Sequence, residues 1–513
     1  MADQTREARK PSSPPFTRDI HELLAAINKI ENRDHSQVPS KEPQRANGLL
    51  NSPTYLPRRL VKVLDSVASL CVSKQRHEVI AVALRNHPSR QSVELIIAGN
   101  EDLPEATIIH LDKVWGLLKE NRALHNELGP PPVGDNNSPT KYPTDPRYIR
   151  LHDRFYQICM DFTFERFKYR VNSKYPQLTA VDTTGLDPSH SFFKMRSGVT
   201  TLERIYTRDR GARIGKPSPD DKEGWKRLFV VILGTRRNIN DFLKSQESHD
   251  QNQTRVSDLV QFKKINDYLR KIKSLPNSID ILLKAAASPQ CRDLFKGNLI
   301  LTPLKKMSSK APDVPRRPED WERVLEAALG RANSKSLYLD LEIIKRDATY
   351  MAGGPINPDL VVHCEIKLLW EIFRAERSDQ RIPKAYSYLG VSKLSCHGCA
   401  SFVDAFNKVH KTGFMTRGSH GKSYYPWQFP SGPGNFPKRD ELIEATYKLI
   451  SDSWVDSYNG YRPKFISLRS DSTAESDTGM DQDLNSDQEQ MFADIIEEMM
   501  KTMGARELTQ SHL

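Results

Sequence analysis

The chain has 513 residues, 37% of them hydrophobic and 27% charged, and a formal net charge of +11 at neutral pH. That length is more than one hydrophobic core serves and implies two or three packed units with tails, and a mean hydropathy of −0.61 suits a soluble chain. No run approaches the ~20 apolar residues that span a bilayer. The first residues have no apolar signal-peptide core, and six unevenly spaced cysteines fit a reducing compartment rather than a disulfide framework. The expected location is therefore cytoplasmic or nuclear, neither secreted nor transmembrane.

Residues 1–55 read as mostly disordered, punctuated by Pro11, Pro14, Pro15, Pro39, Pro43 and Pro53, with one short helix from His21 to Ile30. From residue 56 the pattern changes. Leu60, Val63, Leu64, Val67, Leu70 and Cys71 form a helical stripe, His77 to Leu84 and Ser92 to Ala98 read as strands, and His110 to His125 reads as a helix. Together they make a small α/β unit over 56–129, expected to be scaffold. A Pro-rich linker over 130–147 leads into a mainly helical region, 148–314, with helices at Leu151 to Val171, Trp225 to Ser245, Val256 to Lys273 and Ile279 to Phe295. Within it Arg204, Arg208, Arg210, Arg213, Lys216, Lys222, Lys226 and Arg227 crowd a Gly/Pro-interrupted loop. Such a loop can hold phosphates, although a solvated charge run is the commoner outcome.

The next unit, 315–467, opens on a packing helix with Trp321, Val324 and Leu325 and closes on a helix from Glu441 to Val455. At its centre stand His363-Cys364-Glu365 and Cys396-His397-Gly398-Cys399, an H-x-E followed by a C-x-x-C. Imidazole and thiolate are zinc ligands, and a catalytic zinc keeps three protein ligands and one position for water; His363, Cys396 and Cys399 supply such a set. Glu365 is left over as a proton carrier. Residues at i and i+2 do not share a helix face, so His363 and Glu365 both reach a metal only where strand gives way to helix. Asp359 to Val362 reads as that strand, and Ile366, Leu369, Trp370 and Phe373 recur at helical steps after it. The second motif repeats the design: Tyr386 to Val391 reads as a strand, and Cys399, Phe402, Val403 and Phe406 as a helical stripe. Cys396 and Cys399 then share a first helical turn, where the helix dipole favours thiolates.

Three blocks now carry a resemblance: Val362-His363-Cys364-Glu365-Ile366-Lys367-Leu368-Leu369; Leu389-Gly390-Val391 through Cys396-His397-Gly398-Cys399; and Gly418-Ser419-His420-Gly421-Lys422 leading to Trp427. The segment resembles the fungal nucleic acid/nucleotide deaminase family, a branch of the cytidine-deaminase-like superfamily related to bacterial toxin deaminases. The resemblance implies an α/β/α domain with a mixed five-stranded sheet between helices and zinc at the N-termini of two of them. It also implies base deamination, with the Glu of H-x-E as general acid/base. Two departures stand out: Ser395 replaces the Pro that commonly precedes C-x-x-C, and Cys364 replaces a usually small residue within H-x-E. Neither removes a ligand or the acid/base.

Around the motif, Ser395, His420, Tyr424 and Trp427 are the candidate substrate-binding residues, since His and aromatic side chains beside the metal can stack a flipped base. The rival metal reading is a closed structural site completed by His410, His420 or Cys364, with Glu365 merely a helix-start acid. Residues 468–513 form an acidic tail. From Asp471 onward it holds eleven acids and two bases, a net −9, so residues 1–470 carry +20 and suit a polyanionic ligand. In the tail, Met491, Phe492, Ile495, Ile496, Met499, Met500 and Met503 line one face of an amphipathic helix over 488–503, suited either to a protein partner or to docking on its own chain. The expected function is a zinc-dependent hydrolytic deaminase of a cytosine- or adenine-type base in a nucleotide or nucleic acid. The alternative is a catalytically silent, zinc-stapled interaction protein.

Overall fold

The computed structural model describes residues 17–33, 58–128 apart from 77, 145–207 apart from 182, 184–186 and 188, 216–249, 256–309 apart from 290, 315–332, residues 345, 348, 349 and 351, and 360–430 and 436–458. The acidic tail with its 488–503 helix, residues 130–144 of the linker, and Arg208, Arg210 and Arg213 of the basic loop lie outside the described residues.

A mixed α/β architecture is built around one five-stranded sheet. β1 (Ile80–His87) and β2 (Ser92–Gly99) form an antiparallel hairpin in register from Ile80 opposite Gly99 to His87 opposite Ser92. β3 (Asn298–Leu304) runs parallel to β2 at one edge. On the other side, β6 (Tyr388–Val391) pairs antiparallel with β1, and β7 (Met415–Thr416) extends the sheet in parallel with β6. The order is β3-β2-β1-β6-β7, while β4 (Ser308–Ser309) and β5 (Leu360–Val361) form a separate two-stranded ladder. One sheet thus takes strands from the expected units 56–129, 148–314 and 315–467.

Period-2 alternation divides the interior into two cores. Ile80, Val82, Leu84, Leu95 and Ile97 face one core, shared with α2 (Arg58–Leu70), α3 (Glu105–Leu128), α4 (Pro146–Asn172), α6 (Ser191–Thr207), α7 (Lys222–His249) and α8 (Val256–Ala287). Ala81, Ala83, Ile96 and Ala98 face the other, shared with α1 (Thr17–Arg33), α9 (Pro318–Arg331), α10 (Cys364–Ser378), α11 (His397–His410) and α12 (Arg439–Tyr458). Three alanines on that face let the motif-bearing helices lie close to the sheet. A short fifth helix of the helical region, α5 (Tyr175–Thr179), follows α4.

Several features differ from the sequence reading, among them the unexpected α6, which carries Arg204, and the place of Lys222, Lys226 and Arg227 on α7 rather than in a loop. The helix expected at His21 to Ile30 runs from Thr17 to Arg33, and every residue from Ile20 to Ile27 is buried, so it is a core element and not a surface one. The two helices expected on either side of Pro276 are one, α8. A mid-helix proline costs roughly 3 kcal/mol, but Ile272, Leu275, Ile279 and Leu282 are buried around it, and a few such side chains offset that cost. β3 had no counterpart in the reading, because Pro303 argues against a strand, yet at a sheet edge proline is tolerated. Among the described residues no helix is long and apolar enough to cross a membrane.

α2 lies so near β6 that a Cβ on Gly390 would stand 2.4 Å from the Leu64 carbonyl carbon and 2.5 Å from its oxygen. Asp65 fastens the same contact, accepting from Tyr388 Oη at 2.8 Å and the Val391 N–H at 3.0 Å. Gly390→Ala is therefore expected to lower stability by about 1–3 kcal/mol through overpacking against backbone. Urea denaturation measures it, and an unchanged midpoint would contradict the close approach.

Candidate metal centre

Two helix starts meet behind the sheet. His363 is the N-cap of α10 and Cys396 the N-cap of α11, both in extended backbone (φ −62°, ψ 149° and φ −74°, ψ 169°). Each strand, β5 or β6, delivers its chain to the helix within a few residues, so both caps arrive at the same end of the sheet. His363 Nδ1 lies 3.5 Å from Cys396 Sγ and 3.3 Å from Cys399 Sγ. The three ligand atoms all lie within 4.8 Å of one another. A tetrahedral zinc with ordinary Zn–S and Zn–N bonds separates nitrogen from sulfur by about 3.6 Å, so the donor set fits zinc in both chemistry and spacing. These three residues would hold the ion.

Glu365 occupies the first turn of α10 and is 3% exposed. Its Oε2 lies 3.7 Å from Cys399 Sγ and accepts from Cys364 Sγ at 3.4 Å. Burial raises the Glu365 carboxyl above the usual carboxylate range, against the opposing pull of His363. The two thiols divide. Burial opposes ionisation of Cys396, but the hydrogen bond from Cys399 and the charge of His363 outweigh it and hold Cys396 well below the usual thiol range. Burial and the neighbouring Cys396 thiolate push Cys399 well above that range. His363 is disfavoured as a cation by burial, yet the Cys396 thiolate lifts it above the ordinary imidazole value. Of the two thiols, Cys396 is thus the one whose thiolate its surroundings favour.

The remaining sequence candidates are Ser395, just before Cys396, and three residues of the loop that follows β7. Ser395 is buried and bound into the following loop: its N–H donates to Gly418 O at 3.0 Å, its carbonyl accepts from His420 N at 3.2 Å and Ser419 Oγ at 2.9 Å, and its Oγ donates to Thr416 Oγ1 at 3.4 Å. Gly418 (φ 134°) and Gly421 (φ 75°) supply the left-handed turns that fold this loop back onto the motif. His420 is buried, its Nδ1 accepts from Lys422 N at 3.1 Å, and its ring meets Tyr424 edge-on at 5.4 Å. Tyr424 is 37% exposed, whereas Trp427 is 0% exposed and packs beneath α11, near Gly398 and Leu24. Of the proposed fourth ligands, His410 sits at the far end of α11 among Phe373, Phe406 and Phe436, and Cys364 Sγ is directed at Glu365.

Sequence reading did not reveal the partners contributed from outside the segment. Asn28 of α1 donates to Ser423 O at 2.5 Å, and His21 Nε2 accepts from Phe429 N at 3.1 Å. Asn100, just after β2, accepts from the Cys364 N–H at 2.9 Å, and Lys367 donates to Gly99 O at 2.6 Å. The one available signal was Lys367 on the apolar side of a helical stripe, a buried charge that requires partners.

A family model described as an OTT_1508-like deaminase matches residues 362–431, the segment from the strand before His363 to the end of the aromatic loop. No curated protein and no solved structure matches the chain. The C-terminal region therefore holds a deaminase-like domain, with a group of residues able to hold a metal.

Metal analysis is expected to find one zinc per chain in the wild type and none in Cys396→Ser or Cys399→Ser; unchanged zinc in both variants would remove the site. Because ligands bind as thiolate and neutral imidazole, zinc uptake should release protons, that of the Cys399 thiol among them, and zinc affinity should rise with pH. Calorimetry in two buffers of different ionisation enthalpy detects the release, and its absence would refute binding through the Cys399 thiolate.

Proposed function

We propose that this protein is a zinc-dependent hydrolytic deaminase acting on a cytosine- or adenine-type base carried by a nucleotide or nucleic acid. The observation that carries the reading is the placement of Glu365. A buried carboxyl with an elevated pKa stands beside a three-donor group of zinc spacing, inside a segment that matches a deaminase family. A structural zinc needs a fourth protein ligand and has no use for that carboxylate. When bound, zinc supplies an activated water at neutral pH.

The protein's own groups carry the proton traffic. Water adds to the ring carbon that bears the amine, the carbon–nitrogen bond breaks, and ammonia leaves a carbonyl behind. Glu365 takes one proton from the attacking water and passes it to the adjacent ring nitrogen, then takes the second from the hydroxyl now on the ring carbon and gives it to the leaving amine as the carbonyl forms. An elevated pKa suits a group that both accepts and donates near neutrality. His420 and Tyr424, held by the Ser395 loop, are proposed to line the base pocket. Ser395 acts by shaping that loop, and Trp427 supports it from beneath.

Charge supports a phosphorylated substrate: between residues 380 and 439 there are nine Lys/Arg and one acid, Asp404. The three motif blocks are the ground for placing the chain in the fungal branch of the family, akin to bacterial toxin deaminases. We further propose that 315–467 is the catalytic unit and that residues 58–99 complete its sheet.

The test is ammonia release from CMP, AMP and cytosine- or adenine-containing single-stranded DNA and RNA, comparing wild type with Glu365→Gln. The variant should retain zinc and melting temperature while turnover falls by about 10²- to 10⁴-fold. Equal rates would contradict the mechanism, and loss of zinc or of folding would make Glu365 a structural residue.

A further inference from the structure

We infer that Asn100 and Lys367 are positioning residues that together aim His363 and Glu365 from the end of β2. A helix begins with orphan backbone N–H groups, and the N-cap side chain ordinarily accepts from one of them. The N-cap of α10 makes no such bond, because the His363 ring is turned to the two thiols. Another orphan donor of the same turn is satisfied from 264 residues away: Asn100 Oδ1 accepts from the Cys364 N–H at 2.9 Å. α11 needs no such help, since Cys396 Sγ itself accepts from the Cys399 N–H at 3.4 Å.

A second hold lies one turn further along. Lys367 is 0% exposed, and its ammonium donates to Gly99 O, the last residue of β2, at 2.6 Å and to Lys305 O, just beyond β3, at 3.0 Å. The turn that follows β2 is fitted for this role. A Cβ at Gly99 would stand 2.7 Å from Glu101 O, so the turn closes tightly there; Asp102 Oδ1 then accepts from Lys306 N at 2.6 Å, and Glu101 pairs with Lys306 Nζ at 2.6 Å. Gly99 and Asn100 therefore present a carbonyl and an amide oxygen, side by side, to the first turn of α10. The helix is gripped at residues 364 and 367, with Glu365 between the two points and His363 immediately before them. A rigid helix held at two points one turn apart cannot pivot about its axis, so both motif side chains keep their direction. The family-matched segment contains neither Gly99 nor Asn100.

The inference rests on the deaminase reading for turnover alone. Zinc affinity and amide exchange, measured without turnover, distinguish a failure of positioning from a failure of that reading. In the full-length protein, Asn100→Leu keeps the approximate shape but loses the acceptor, and Asn100→Asp keeps the acceptor. The Leu variant should bind zinc about 10- to 100-fold more weakly, as for loss of a group that supports metal ligands. Backbone amides in a peptide covering 362–368 should exchange faster, and ammonia release from the substrate that wild type turns over should fall at least tenfold. The Asp variant should restore zinc affinity and exchange protection to within about threefold of wild type. Leu and Asp variants that behave alike, whether both retain or both lose these properties, would overturn the role of Asn100. Lys367→Met separates positioning from bulk stability: replacing a buried charge by an apolar chain of similar volume is often neutral or stabilising. An unchanged or higher melting temperature with weakened zinc binding and faster exchange supports the role of Lys367; wild-type zinc affinity and exchange overturn it.

Discussion

Two of the three candidate ligands, His363 and Cys396, are the N-cap residues of their helices, and much of the surrounding structure follows from that double duty. A cap must point back along its own helix, and a ligand must point toward the metal. Cysteine reconciles the two because sulfur accepts the Cys399 N–H while still facing His363. Imidazole does not. The result is a helix start that borrows its acceptor from the far end of a hairpin. Both helices also direct the positive ends of their dipoles at one small volume, which favours the Cys396 thiolate that lies there.

The sheet serves as partition as well as platform. On one face, large side chains of β1 and β2 meet the long helices of the middle of the chain; on the other, alanines admit α10 and α11. The loop after β7 is held by sequence-distant pieces, with Ser395 tied to Gly418 and Ser419, and α1 holding Ser423 and Phe429 through Asn28 and His21. Removing any of these ties would loosen the same loop. On the opposite face Arg417 stands 3.8 Å from Asp65, so α2 also reaches the base of that loop.

How much of this was legible depended on sequence distance. The ligand set and Glu365 stood out because H-x-E and C-x-x-C are local spacings on strand-to-helix transitions, and the short range of those transitions is written in the residues around them. Helix positions such as Arg58–Leu70 and Pro318–Arg331 followed from apolar periodicity for the same reason. What escaped was decided by tertiary contact: α8 continues through Pro276 because its flanks are buried, and β3 forms because β2 offers an edge. Asn100 is an ordinary turn residue in sequence, and nothing within ten positions of it hints at Cys364. Trp427 is a residue of the kind that stacks bases, but whether an aromatic in a glycine-rich loop faces substrate or core depends on what lies beneath it, and here α1 and Gly398 lie beneath it.

The pairing of β1 with β6 also sets a timetable for synthesis. Ile80 N–H donates to Ser392 Oγ across 312 residues, so the hairpin leaves the ribosome long before the strand that completes it. At ordinary translation rates the gap is about 15 to 60 s. For that interval β1 exposes an edge of Ile80, Ala81, Val82, Ala83 and Leu84, the kind of apolar strand that pairs with neighbouring chains. The helices made in the meantime can shield one face of the hairpin but not that edge, so the nascent chain depends on late arrival of β6, or on chaperones until then, to avoid intermolecular pairing.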